Sequence, residues 1–298
     1  MANLRDIRIK IKSVKNIQKI TQAMKMVAAS KLKKVQDKVS EGRAYSEKML
    51  ELVQKVTPYA RDAHHPLLDE REIKKVGIVV VTGDKGLCGG YNNAVIRKAV
   101  EAIDKSQVPF EVFAIGKKAC EYFGKRNYLL KKAELLPPVE AGFADIQHIS
   151  RFMTDWFESG AVDEVKIAYT KFINVIRQET KVISFLPIRP DRDLAAGVSA
   201  ESTSDDSASG SDCIFEPEAS ALLGDLIPRF VENQIFHYLL ESLTSEQGAR
   251  MQAMSQATSN AGELIDNLTQ IYNKARQWAI TTEMLEIVGG AEALKQVN

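Results

Sequence analysis

The feature that most restricts this chain is its first 57 residues, which contain no proline and a single glycine, Gly42. Apolar or small side chains recur there at Ile7, Ile11, Val14, Ile17, Ile20, Met24, Ala28, Leu32, Val35 and Val39. Their mean spacing of about 3.6 predicts one amphipathic helix over 1–57, roughly 80 Å long at about 1.5 Å per residue. The other end repeats the pattern. Residues 218–298 read as a second long helix, strongest from Glu218 to about Val288, with Pro228 as a kink or a first-turn proline. Each helix carries an apolar stripe that water disfavours, so the two are expected to pair. Because the middle of the chain joins the end of one to the start of the other, the pairing should be antiparallel. Small residues at Gly248, Ala249, Ala253, Ala257, Ala261 and Gly262 would let Met24 and Met26 approach closely.

Between the helices the period changes. Lys74 to Val81 reads as a buried strand that ends in the turn-rich run Thr82 to Gly90. A helix from about Asn93 to Lys105 follows, then a strand over Pro109–Gly116 and a short helix over Lys117–Phe123. A helix over Asp145–Glu158 and strands over Asp163–Ile173 and Lys181–Leu186 complete the series. Strands alternating with helices predict an α/β domain over 58–190, built on a mostly parallel sheet. Residues 191–217 lack large apolar side chains over most of their length and read as a flexible polar loop. The expected fold class is therefore α/β, with a long antiparallel coiled coil of the terminal helices and a central mostly parallel α/β domain.

The two helices differ in length. If Thr57 lies near Glu218, residue-for-residue matching puts Leu4 near Ile271, and the chain after about Tyr272 extends beyond its partner helix. That overhang holds Trp278, Ile280, Met284, Leu285, Ile287, Val288, Ala291 and Leu294. Each large side chain is worth on the order of 1.5–3 kcal/mol when buried, so another protein is expected to surround this tip.

The chemistry-bearing residues argue against catalysis. The turn Gly83-Asp84-Lys85-Gly86 is too short for a phosphate-binding loop, and no Ser or Thr follows Gly89-Gly90. Four histidines, His64, His65, His148 and His237, have no carboxylates at metal-ligand spacing, and Ser30, Ser245 and Ser255 have no nucleophile elbow. Three cysteines, Cys88, Cys120 and Cys213, form no paired spacing, which excludes a disulfide framework. No catalytic residue, metal ligand or cofactor is expected. A nucleotide-binding α/β protein with helical arms is the alternative that the Gly-rich turn leaves open.

Charge is balanced overall, with 40 Lys and Arg against 39 Asp and Glu, so a protein that coats nucleic acid is excluded. It is unevenly spread: residues 1–57 hold 14 basic and 5 acidic groups, and 191–225 hold 9 acidic and 1 basic. No apolar run approaches the roughly 20 residues of a membrane-spanning helix, and the start lacks an apolar leader, which places the chain where it is made, in a reducing compartment.

Three segments carry a resemblance: Lys19-Ile20-Thr21-Gln22-Ala23-Met24-Lys25-Met26-Val27-Ala28-Ala29-Ser30-Lys31-Leu32, Gly86-Leu87-Cys88-Gly89-Gly90-Tyr91-Asn92, and Tyr272-Asn273-Lys274-Ala275-Arg276-Gln277 with Ile280-Thr281-Thr282-Glu283. Together they resemble the gamma subunits of F-type ATP synthases, from end to end. The resemblance implies a central rotor shaft, non-catalytic itself, that couples proton flow to ATP synthesis or hydrolysis. Its partners would be the alpha and beta subunits of an alpha3-beta3 ring, the epsilon subunit and the c-ring of the membrane sector. It implies peripheral attachment to the cytoplasmic face of the bacterial inner membrane. Met24 and Lys25 would face the beta levers, and Glu246, Arg250, Arg276, Gln277, Thr281 and Glu283 would bond transiently with loops of the ring. Trp278, Ile280, Met284, Leu285, Ile287 and Val288 would form the apolar bearing tip.

Overall fold

The computed structural model describes residues 4–56, 65–106, 108–126, 128–188 and 218–297. The polar stretch 191–217, His64 and Cys213 lie outside them.

The terminal helices are α1, Leu4–Val56, and α5, Ala219–Val297. Between them come β1 (Val76–Val81), α2 (Tyr91–Asp104), β2 (Phe110–Ile115), α3 (Lys117–Gly124) and β3 (Leu130–Glu134), then α4 (Gln147–Glu158), β4 (Glu164–Phe172) and β5 (Gln178–Leu186). The strands form one sheet in the order β3-β2-β1-β4-β5. All neighbours run parallel except β4 and β5, which are antiparallel and joined through Asn174–Arg177. The fold is thus mixed α/β, with a mostly parallel sheet between long terminal helices.

Two compact units divide the chain, residues 1–28 with 251–298, and residues 29–250, so α1 and α5 each contribute to both. In the larger unit β1 is buried on both faces, as a central parallel strand must be. Val79 and Val81 point into a core shared with Phe113, Ile167, Trp156 of α4, Val35 and Val53 of α1, and Leu223 through Leu243 of α5. Ile78 and Val80 point the other way, toward Val95 and Ala99 of α2 and Phe123 of α3. The sheet is a middle layer with α2 and α3 on one face and α1, α4 and α5 on the other. Gly77 is required here, because a Cβ on it would lie 2.7 Å from the Trp156 ring. That ring is held by its Nε1–H, which donates to Glu111 at 3.0 Å.

Antiparallel pairing of α1 and α5 is visible within each unit. Asn233 Nδ2 donates to Ser46 Oγ at 2.9 Å in the larger unit, and Thr21 and Thr258 share a 2.8 Å hydroxyl contact in the smaller. The amide of Gln18 lies where a Cβ on Gly262 would be 3.3 Å away. The residue numbers of these pairs sum to 279, 279 and 280, so Leu4 stands opposite residue 275 or 276 and not Ile271. The overhang begins one helical turn later than the sequence suggested.

The seam itself also differs from expectation. Among the buried and half-buried positions on α1, Leu4, Ile7, Ile11, Val14, Gln18, Thr21, Lys25, Ala28, Leu32 and Val35 alternate in steps of three and four, with Met24, Ala29 and Lys31 half-buried beside them. That is the 3.5-residue heptad of a coiled coil and not the 3.6 of a free helix. Ile17 and Ile20 consequently stay 53% and 58% exposed, and Met26 points outward as well. Met24 is half-buried. Pro228 lies inside α5 and not in its first turn. The residue four positions earlier, whose carbonyl a proline ring crowds, is Gly224.

Candidate functional site

Two places can carry function: the carboxyl edge of the sheet, where α/β folds hold ligands, and the surface of the smaller unit.

At the sheet edge, strand order reverses between β1, which leads on to β2 and β3, and β4 on its other side. A doubly wound sheet binds nucleotides in the crevice that opens there. Here the crevice is filled by the chain's own α5. Ser245 Oγ donates to Thr170 O at the end of β4, and Tyr91 Oη at the start of α2 donates to Ser242 O. The Gly-rich turn after β1 wraps the next stretch of α5. Arg250 Nη2 donates to the carbonyls of Lys85 and Gly86, both at 3.3 Å, and to Glu246 Oε1 at 2.6 Å. A Cβ on Gly83 would lie 2.8 Å from the Glu246 carboxyl carbon. The turn therefore presents carbonyl oxygens to a guanidinium and packs a glycine against a carboxylate, the inverse of an anion cradle. Burial pushes the Glu246 carboxyl above its ordinary value, against the opposing pull of Arg250.

The turn is locally determined. Gly83 N–H donates to Asn92 Oδ1, and Asn92 Nδ2 reaches Cys88 Sγ at 3.1 Å. Asp84 accepts from the backbone of Lys117 and Leu136, which ties the turn to α3 and to the end of β3. Leu87 and Gly89 take positive φ, 61° and 58°. Cys88 is buried, and burial raises its thiol pKa. It is a packing residue of the turn.

Glu246 and Arg250, expected as ring contacts, are held inside the larger unit. They are 4% and 9% exposed, and their polar atoms are satisfied inside the larger unit. The sequence signal that could have separated them was their i, i+4 acid–base spacing opposite a turn rich in free carbonyls.

In the smaller unit the remaining expected residues fall into two groups. Met24 and Lys25 are half-buried along the seam. Arg276, Gln277 and Glu283 are exposed, as is Thr281, whose hydroxyl donates to Gln277 O. Half-burial recurs on α5 at Leu268, Tyr272, Ala275, Ala279 and Thr282, continuing the heptad, and then stops. From Glu283 to Ala291 every residue is exposed. Trp278, Ile280, Met284, Leu285, Ile287 and Val288 are each 50–66% exposed. Sequence reasoning missed a second apolar surface on α1, made by Ile9, Ile17, Ile20 and Val27.

Among the described residues no group of three or more His, Cys, Asp or Glu could hold a metal ion, and no helix is long and apolar enough to cross a membrane.

A family model described as ATP synthase matches residues 3–294. Proteins named ATP synthase gamma chain from Heliobacterium modesticaldum and Desulforudis audaxviator are each 42% identical, over 294 and 297 residues, covering 99% of this chain and 100% of theirs. The chain belongs to the ATP synthase gamma chain family. Gamma chains are the central-stalk subunit of F-type ATP synthase, part of a proton-transporting complex but not its catalytic subunit. A chain of the Tetrahymena thermophila mitochondrial ATP synthase central stalk and c-ring superposes with a TM-score of 0.58 at 26% identity, over 80% of this chain and 99% of that one. A chain of the Euglena gracilis mitochondrial assembly of OSCP, F1 and c-ring gives 0.66 at 18% identity, over 98% and 94%, which shows the shared fold. As a gamma chain with no membrane-spanning helix among its described residues, the protein is peripheral to the membrane.

Proposed function

We propose that this gamma chain acts as the rotor shaft inside an alpha3-beta3 ring, with the exposed end of α5 as its bearing. The observation that carries this reading is the stretch from Glu283 to Ala291, where every residue is exposed and Met284, Leu285, Ile287 and Val288 face water over about half of the helix circumference. An exposed apolar helix end calls for a partner protein to cover it, and one with few directional bonds suits a part that must present many angles to that partner. Arg276, Gln277, Thr281 and Glu283 supply the few polar contacts, transient in each orientation. Met24 and Lys25, with the outward-facing Ile17, Ile20 and Val27, supply the contact lower on the smaller unit.

Coupling follows from asymmetry. A single shaft meets three identical catalytic subunits differently at any moment and biases each toward a different nucleotide affinity; turning exchanges those states. The epsilon subunit and the c-ring are the proposed partners of the larger unit, and the cytoplasmic face of the bacterial inner membrane is the proposed location. The domain division proposed is a shaft helix over 1–57, an α/β foot over 58–190, a polar loop over 191–217 and a shaft helix over 218–298.

Nucleotide binding by this chain is disfavoured by the Glu246–Arg250 pair filling the crevice that a nucleotide would need. The deciding experiment co-expresses the chain with alpha and beta subunits. Deleting 276–298 should leave a complex with slower or poorly coupled ATP turnover, and unchanged assembly and turnover would refute the bearing.

A further inference from the structure

A cavity of about 280 Å³ opens in the larger unit between α1, α5 and the segment around Phe143. Its walls are Val39, Leu240 and the rings of Phe143 and Phe236, which meet edge to face at 5.7 Å. At roughly 30 Å³ for each water, it has room for about nine, the scale of a small organic molecule.

Two features distinguish it from a packing gap. The first is Gly42, which lines the cavity in mid-helix, where glycine is less favourable than alanine. A Cβ on it would meet nothing within 4 Å, so neither a close approach nor the backbone demands a glycine there. Its effect is to keep volume open. The second is Lys38 at the cavity rim. Its ammonium donates to the carbonyls of Val139 and Ala141, at 2.8 and 2.9 Å. One N–H is left, and among the described residues Lys38 forms no ion pair with a carboxylate. His237 also borders the cavity, with Glu241 at 3.5 Å on its Nε2 side.

We propose that this cavity binds a small amphipathic carboxylate, its aromatic or aliphatic body between Phe143, Phe236, Val39 and Leu240 and its carboxylate on the free N–H of Lys38. The two carbonyl bonds aim the ammonium, so it is pre-oriented for an anion and spends little side-chain freedom on binding. The cavity shares no lining residue with the bearing surface or the filled crevice.

The test uses the full-length chain and titration calorimetry with 4-phenylbutyrate, with 4-phenylbutanol as the uncharged counterpart. The acid is expected to bind saturably and about tenfold tighter than the alcohol, as a charge-assisted bond in a half-enclosed site allows. Lys38→Met should bring the acid down to the alcohol's affinity while leaving the alcohol unchanged. Gly42→Leu, which favours the helix and fills the cavity, should abolish binding of both without lowering the unfolding midpoint. The proposal is overturned by absence of saturable binding, by binding that survives Gly42→Leu, or by a preference for the acid that persists in Lys38→Met.

Discussion

Thr21 and Thr258 face each other across α1 and α5 with their hydroxyl oxygens 2.8 Å apart, at seam positions where a coiled coil ordinarily buries apolar side chains. Thr21 also reaches Gln18 O, and Thr258 reaches Met254 O. Three contacts draw on two hydroxyl protons, so the pair shares them. A half-buried polar pair at one seam position penalises axial slip of the helices, since a shift would break the contact between the two hydroxyls. Thr21→Val should therefore destabilise the chain by about 1 kcal/mol, and adding Thr258→Val should cost less than the sum of the single changes. Urea unfolding of the four members of this cycle measures the coupling, and strict additivity would show that the hydroxyls act independently.

Arg250→Met leaves Glu246 buried with its charge unpaired beside Gly83. A loss of about 3–5 kcal/mol is expected, and Glu246→Gln in the same chain should recover most of it, because the penalty belongs to the stranded charge. Chemical denaturation of both variants distinguishes this from simple loss of side-chain packing, which the second substitution would not repair.

Gly116 has a φ of 96°, and a Cβ there would lie 2.0 Å from the carbonyl oxygen of Thr82, whereas a Cβ on Gly86 would meet nothing within 4 Å. Gly116→Ala should destabilise by about 3 kcal/mol or more, and Gly86→Ala by less than about 1. Thermal unfolding of the two variants side by side checks the contrast; equal losses would contradict this account of the turn.

His65 caps the short 3-10 turn Pro66–Leu68, its Nδ1 accepting the Leu67 N–H at 3.2 Å. Burial lowers its pKa from the ordinary 6.5, against the carboxylates of Glu158 and Asp69. A depressed folded-state value means the unfolded chain takes the proton first. This contribution to stability is therefore fully present above about pH 6.5 and is lost as pH falls toward the lowered value. Unfolding midpoints between pH 8 and pH 5 should decline more steeply for the parent than for His65→Asn, which keeps an acceptor without titrating. Parallel curves would remove His65 from the pH response.

Much of this architecture was legible because long amphipathic helices and buried strands write strong periods. What escaped was written in weak ones. β3, Leu-Lys-Lys-Ala-Glu, is an edge strand with alternating exposure and little apolar character, so its sequence looks like a loop. The seam was misplaced by one position at Ile17 and Ile20 because 3.5 and 3.6 diverge only after several turns, and because Gln18 and Thr21 are polar. Glu246 and Arg250 read as surface residues for the same reason: a buried ion pair is invisible until the carbonyls it satisfies are placed. The exposed apolar end of α5 was legible from residue types and the difference in helix length, since it lies beyond the last residue that α1 can cover.

The segment of α5 that closes the sheet's crevice comes from the same helix that completes the sheet's hydrophobic core through Leu223, Ile227, Val231 and Leu239. Vacancy and nativeness are therefore mutually exclusive at that edge: any event that emptied it would also strip the β-layer of its cover. The crevice is a mortise, and its tenon cannot be withdrawn while the joint still stands.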